Sequence, residues 1–197
     1  QEDQRRDGLE RLPKVEHKKI FIITVIMFSF FSKTNAGYKQ LAYEFSFKNI
    51  DGGKINLQNY KDHVIVVVNV ASRCGFTNQY EDLQNLWSTY KDKNLVVVGI
   101  PTNNFKQEPG SNKDIKDFCE PNFNITFPMT EKMDVIGRNA HPFFKWANEN
   151  HGRSAIPKWN FHKIIIGKNG KVADTFSSIT KPSSKKFISL IEKEIKN

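Results

Sequence analysis

Cysteine is scarce in this sequence: Cys74 and Cys119 are the only two among 197 residues. Two cysteines cannot complete a four-ligand zinc site without histidines, and the five His form no H-x3-H or H-E-x-x-H spacing. No metal and no resident cofactor is expected. Long apolar runs are also missing. The longest, Ile20 to Phe31, spans twelve residues and is broken by Thr24 and Ser29. That is short of the ~20 residues that cross a bilayer, so no stable membrane insertion is expected after processing. No internal repeat or low-complexity segment is visible. Nor is there a basic stripe interleaved with aromatics of the kind that reads nucleic acid. The net charge of +9 is dispersed, and residues 37–197 carry 23 Lys/Arg against 16 Asp/Glu. This describes a solvated basic surface with at most weak attraction to an acidic partner.

What is present is the composition of a folded protein, 38% hydrophobic with 12% aromatic residues. Residues 1–36 stand apart. Lys18 and Lys19 precede the short apolar run, and Thr34 and Ala36 put small residues where a signal peptidase reads. This is the pattern of a secretory signal cleaved after Ala36, with an uncleaved anchor as the alternative. It implies export to the periplasm or the extracellular space. Residues 1–17 are polar and without periodicity and are set aside. Residues 37–197 remain as one domain with room for a full core.

That domain is organised around Val64 to Thr77, VIVVVNVASRCGFT. Val64 to Val70 is apolar except for Asn69 and rich in β-branched residues, which predicts a strand buried on both faces. Ala71, Ser72, Arg73, Cys74 and Gly75 follow, then Asn78 as helix cap with Glu81 three residues on. Cys74 is therefore expected on the turn from a central strand to a helix N-terminus, where N–H groups and the helix dipole favour a thiolate. A structural disulfide partner would not need that position.

Around it, Tyr43 to Lys48 reads as an edge strand, with a return over Ile55 to Leu57 after the Asp51-Gly52-Gly53 turn. Tyr80, Leu83, Leu86, Trp87 and Tyr90 form the core stripe of a helix from about Asn78 to Lys91. Leu95 to Ile100 is a second buried strand. Strand, helix and strand in this order form a βαβ unit, which puts the loops carrying Cys74 and Gln107 on one rim. Ser111 and Asp114 open a helix through about Phe118, with Cys119 at or just past its end. A further helix starts at Asn139. Lys163 to Gly167 and Lys171 to Phe176 are strands joined by a type I′ turn at Asn169-Gly170, and Pro182 lies in the first turn of a final helix. This order is that of an α/β protein of thioredoxin-like fold: a central mixed sheet flanked by helices, with an N-terminal β-hairpin and one inserted helix.

Three blocks now stand in order, NVASRCGFTNQY, QEPGSN and KWNF before a strand. Together they closely resemble the signature blocks of the glutathione peroxidase family over about residues 40–196. The resemblance implies a peroxidatic cysteine at Cys74, working with Gln107, Trp159 and Asn160. A Cys74 thiolate would attack a hydroperoxide and become a sulfenic acid. The three donors would stabilise the thiolate and the leaving oxygen without competing as nucleophiles. Cys119, in DFCEPNFNITFP, resembles the resolving cysteine of the thioredoxin-dependent members. It would attack the sulfenic acid to give a disulfide that a thioredoxin-like protein reduces. Taken singly, the same residues are an ordinary loop amide, a core aromatic, a turn cap and an inert buried thiol.

The chain also departs from the family pattern. IPTNNFKQEPG has Thr102 where the family has a cysteine and is one residue shorter before Gln107. Asn104 is thus a second candidate donor. The short segment before Trp159 implies a monomer, and no convincing glutathione-binding basic set is found, which favours a thioredoxin-like reductant over glutathione. Other activities are disfavoured. An exported thiol–disulfide oxidoreductase normally needs C-x-x-C, but Thr77 occupies the fourth position. A copper-delivery protein of this fold needs C-x-x-x-C, but Asn78 stands there. A catalytically inert thioredoxin-fold binding module would have no use for all four residue types together.

Overall fold

The computed structural model describes residues 38–197; the signal-like segment lies outside the described residues. Strand β3 (Val64–Val70) is buried along its whole length, as its apolar run predicts. It pairs in parallel with β4 (Leu95–Pro101) and antiparallel with β5 (Lys163–Ile166), which in turn pairs antiparallel with β6 (Val172–Phe176). The sheet order is therefore β4-β3-β5-β6, with β3 inside. A separate hairpin joins β1 (Ser46–Lys48) and β2 (Lys54–Asn56) in antiparallel register.

The period-two geometry of the strands divides the core into two layers. Val64, Val66, Val68 and Val70 face α1 (Gln79–Tyr90), α2 (Asn112–Phe123) and α4 (Lys185–Lys196), packing with Leu83, Ile115, Phe187 and Ile191. Ile65 and Val67 face the opposite way, towards α3 (Pro142–His151) and the hairpin, packing with Phe45, Phe47, Phe143 and Trp146. Fully burying side chains of this size is worth about 1.5–3 kcal/mol each, so β3 anchors both layers.

Several local expectations give way to tertiary context. The edge strand is shorter, because Ala42–Glu44 forms a 3-10 turn whose Ala42 N–H donates to the Gly170 carbonyl. Asn78 makes no side-chain cap; Thr77 takes over the polar bookkeeping of that turn. The Ser111–Asp114 capping box forms in full, but α2 runs on to Phe123, so Cys119 lies inside the helix. Pro121 does not stop it, although its ring removes one helical hydrogen bond and crowds the preceding turn. Helix α3 starts at Pro142, not Asn139, because the His141 ring nitrogen accepts the Phe143 N–H and Pro142 fits the first helical position. The β5–β6 turn is not type I′: only Gly170 has positive φ, and Gly170 N–H closes on the Gly167 carbonyl at 2.9 Å. Ser184, not the Pro182 turn, caps α4.

Candidate functional site

Cys74 lies in the turn between β3 and α1, as expected, but five residues ahead of the helix. Its nearest backbone donor is the Phe76 N–H, 3.4 Å from Sγ. The turn is shaped by Thr77, whose hydroxyl accepts the Cys74 N–H (3.1 Å) and donates back to the Cys74 carbonyl (2.6 Å). Glu108 holds its other end: one carboxylate oxygen accepts the Ser72 N–H at 2.6 Å and the Ser72 hydroxyl at 2.9 Å. Burial pushes the Glu108 carboxyl above its usual range, and the two Ser72 hydrogen bonds oppose the shift.

Gln107 comes to the same place. The Arg73 N–H donates to the Gln107 carbonyl (3.1 Å), tying the loop after β4 to the residue beside Cys74. Lys106, just before it, takes a left-handed φ of 61°, which absorbs the sharp turn of the shortened loop. The Gln107 side chain accepts the Asn160 Nδ2–H at 3.0 Å, leaving its own NH2 group to donate elsewhere. Asn104 is not a second donor. Its carboxamide is occupied by Thr102, Val135 and Asp134, so it braces the loop from behind.

Trp159 and Asn160 reach the rim through Asn69, the one polar side chain of β3. Asn69 Nδ2 donates to the Trp159 carbonyl (3.1 Å), and the Asn69 carbonyl accepts the Phe161 N–H (2.6 Å). Phe161 is fully buried with φ of 62°, a conformation that costs a bulky residue of order 1–3 kcal/mol. Asn160 is fully buried with its side-chain oxygen unpaired, whereas Trp159 is 40% exposed and packs at a tilt against Phe105, ring centroids 5.5 Å apart. The structure thus joins Gln107 to Asn160 directly and to the Cys74 turn through its backbone, with the solvent-facing indole of Trp159 adjoining Asn160.

Cys119 belongs to a different environment. It is buried on the inner face of α2, in the same core layer as Cys74, and both thiols are free. Burial pushes its thiol up to about 11, only partly offset by the neighbouring Tyr80 hydroxyl. A cavity of about 420 Å³ does not adjoin Cys74; it lies between α2 and the hairpin, with Cys119 and Ile115 in its wall. Among the described residues no group of three or more His, Cys, Asp or Glu could hold a metal ion.

Sequence reasoning passed over Asn69, Thr77, Glu108 and Lys163. Asn69 had a visible signal, a polar residue within a run of Val, and Glu108 sits inside the QEPG block. Lys163 had none. Its amine is fully buried, hydrogen-bonded to the Gln79 side-chain oxygen and, at 2.7 Å, to the Thr180 carbonyl. Burial drives it down to about 7.

Residues 42–148 match the family model described as glutathione peroxidase, a span that includes Cys74, Gln107 and Cys119. A hydroperoxy fatty acid reductase of Synechocystis is 42% identical over 149 residues, covering 71% of this chain and 88% of that protein. A glutathione peroxidase-like peroxiredoxin of Saccharomyces cerevisiae is 44% identical over 147 residues, covering 72% and 90%. The crystal structure of T. cruzi GPX1 superposes with a TM-score of 0.63 at 28% identity, covering 80% of this chain and 98% of that one. The thioredoxin-like architecture, the Cys74 turn joined to Gln107 and Asn160, and these relatives agree: this chain belongs to the glutathione peroxidase family and is a peroxidase.

Proposed function

We propose that the protein reduces hydrogen peroxide and organic hydroperoxides through Cys74, resolves the product with Cys119, and is recycled by a thioredoxin-like protein in preference to glutathione. The observation that carries this reading is the hydrogen bond between Asn160 and Gln107, with Gln107 anchored to the Cys74 turn through Arg73. It gathers neutral donors beside the turn that holds Cys74. A Cys74 thiolate attacks one peroxide oxygen and the O–O bond breaks. The leaving alkoxide or hydroxide then takes up a proton, and Cys74 becomes a sulfenic acid. Gln107, Trp159 and Asn160 supply hydrogen bonds to the charge that moves from sulfur to oxygen, without adding a competing base.

Cys119 then attacks the sulfenic sulfur, giving a disulfide and water. Bridging requires α-carbons within about 7 Å, and local loosening of α2 around Cys119, where Pro121 already weakens the helix, would let the two sulfurs meet. The relatives include proteins named peroxiredoxin and hydroperoxy fatty acid reductase, which supports thiol recycling and a lipid-derived substrate alongside hydrogen peroxide. The signal-like residues 18–36 support an exported protein, and the short segment before Trp159 supports a monomer.

The test is peroxide consumption by the full chain, supplied in turn with thioredoxin plus its reductase and with glutathione. Turnover with thioredoxin is expected. Cys119→Ser should stop that turnover while one equivalent of peroxide is still consumed, and Cys74→Ser should consume none. Glutathione-driven turnover that survives Cys119→Ser would overturn the resolving role, and no consumption by the wild type would overturn the peroxidase reading.

A further inference from the structure

Tyr80 is a buried phenol with no assigned work. It sits in the first turn of α1, six residues after Cys74, and is fully buried in the core layer that holds both cysteines. Its ring is fixed between Phe123 (5.3 Å, 37°) and Phe161 (5.3 Å, 86°), one from the resolving helix and one from the Asn160 turn. Its hydroxyl completes no hydrogen bond, an unusual state for a buried polar group. The chemistry nearest that hydroxyl is sulfur. Cys119 and Cys74 pack with Tyr80 in one buried cluster, and both cysteines and Glu108 act on the ionisation of that hydroxyl. Burial raises the phenol well above 10, so it remains a neutral donor wherever the enzyme works.

We propose that Tyr80 is the positioning residue for disulfide formation, its hydroxyl donating a hydrogen bond to Cys119 as that thiol ionises and turns towards Cys74. This rests on the reading of Cys119 as the resolving residue. In the step concerned, Cys119 gives up its proton and its sulfur electron pair forms the S–S bond. The S–O bond of the Cys74 sulfenic acid breaks, and the departing hydroxide takes up a proton to leave as water. Cys119 is oxidised in this step, and the hydroperoxide supplied the oxidising equivalent earlier. Cys119 needs such a donor because its surroundings oppose the thiolate. Around it are Tyr80 from α1, Glu108 from the loop after β4 and Glu120 of its own helix. On the same wall of the cavity, Lys116 of α2 is already paired with Asp51 of the hairpin and Glu120. Of these, Tyr80 is the one group inside the core that can donate to sulfur.

The test is Tyr80→Phe in the full chain. Reduced protein is mixed with one equivalent of hydrogen peroxide and quenched over time. Mass spectrometry then separates the dione-trapped Cys74 sulfenic acid from the Cys74–Cys119 disulfide, across pH 8–12. A hydrogen bond to a charged group predicts disulfide formation about ten- to hundredfold slower, with the midpoint of its pH profile moved upward. The sulfenic acid should still accumulate to one equivalent. Because Phe removes an unpaired buried hydroxyl without changing the ring, the melting temperature should hold or rise. A disulfide formed at the wild-type rate with the wild-type pH midpoint overturns this inference alone. So does a lower melting temperature with an unmoved midpoint, which would make the hydroxyl structural. Failure of the wild type to form the disulfide overturns both this inference and the resolving role on which it rests.

Discussion

In the folded, reduced protein, Cys119 should be nearly inert to alkylation. The thiolate is the reactive species, and burial raises the Cys119 thiol to about 11. At pH 8 a thiol with that value is ionised to about one part in a thousand, whereas an ordinary thiol near 8.5 is ionised to about one part in four. Charge alone therefore slows labelling by about two hundredfold relative to the unfolded chain. The residue's 2% exposure slows it further, because little of its surface meets the reagent while α2 stays closed. The assay is timed iodoacetamide labelling of native and urea-unfolded protein, with the Cys119 peptide quantified by mass spectrometry. The native rate should rise with sub-denaturing urea, tracking local opening of α2 well before global unfolding. Native labelling of Cys119 at pH 8 within tenfold of the unfolded rate would refute the argument. It would mean that the thiol is already exposed at rest.

Asn69→Leu should cost about 1–3 kcal/mol and slow sulfenic acid formation, because the Trp159 carbonyl loses its donor and the turn carrying Asn160 loosens; chemical denaturation and single-turnover kinetics measure the two effects. Glu108→Ala should destabilise more than Glu108→Gln, since glutamine keeps an acceptor for the Ser72 N–H and alanine leaves the Cys74 turn untied; equal melting temperatures would refute this. Lys163 gives stability a pH dependence on the alkaline side. Its folded value of about 7 lies below the usual 10.5, so the unfolded chain holds more protons between those limits and stability rises with pH there, by at most about 1.4 kcal/mol per unit. Lys163→Met should flatten that slope in urea titrations. His162 acts similarly in acid: burial lowers it to about 4, so its contribution is present above about 6.5 and is lost as pH falls towards 4. His162→Phe should remove that part of the acid sensitivity.

The strands of the domain were largely readable because burial on both faces writes itself as runs rich in Val and Ile, as in Val64–Val70 and Leu95–Pro101. Element ends were less readable, since they depend on partners distant in sequence. His141 outcompetes Asn139 as a cap because its ring also meets the Ser46 carbonyl (3.1 Å), and Asn169 keeps negative φ because Gly170 closes the turn instead. At the site, the blocks around Cys74, Gln107, Trp159 and Asn160 stand out as residue types, but what fixes them does not. The Glu108–Ser72 and Asn69–Trp159 hydrogen bonds span 36 and 90 residues. The placement of Cys119 inside α2 was obscured by Pro121, which ordinarily marks a helix end and here does not.

The edge of the sheet at β4 carries a further consequence. Segment 128–130, downstream of α2, lies along that edge: the Gly99 N–H donates to the Pro128 carbonyl and the Thr130 N–H to the Gly99 carbonyl, both at 2.9 Å. Gly99 permits the approach, for a Cβ there would stand 2.3 Å from the Met129 sulfur. If α2 opens in each cycle as proposed, β4 would otherwise be bared as a strand able to pair with a neighbour's. With this short clasp in place, the helix can come undone while the sheet stays sealed, so repeated oxidation need not become a route to aggregation.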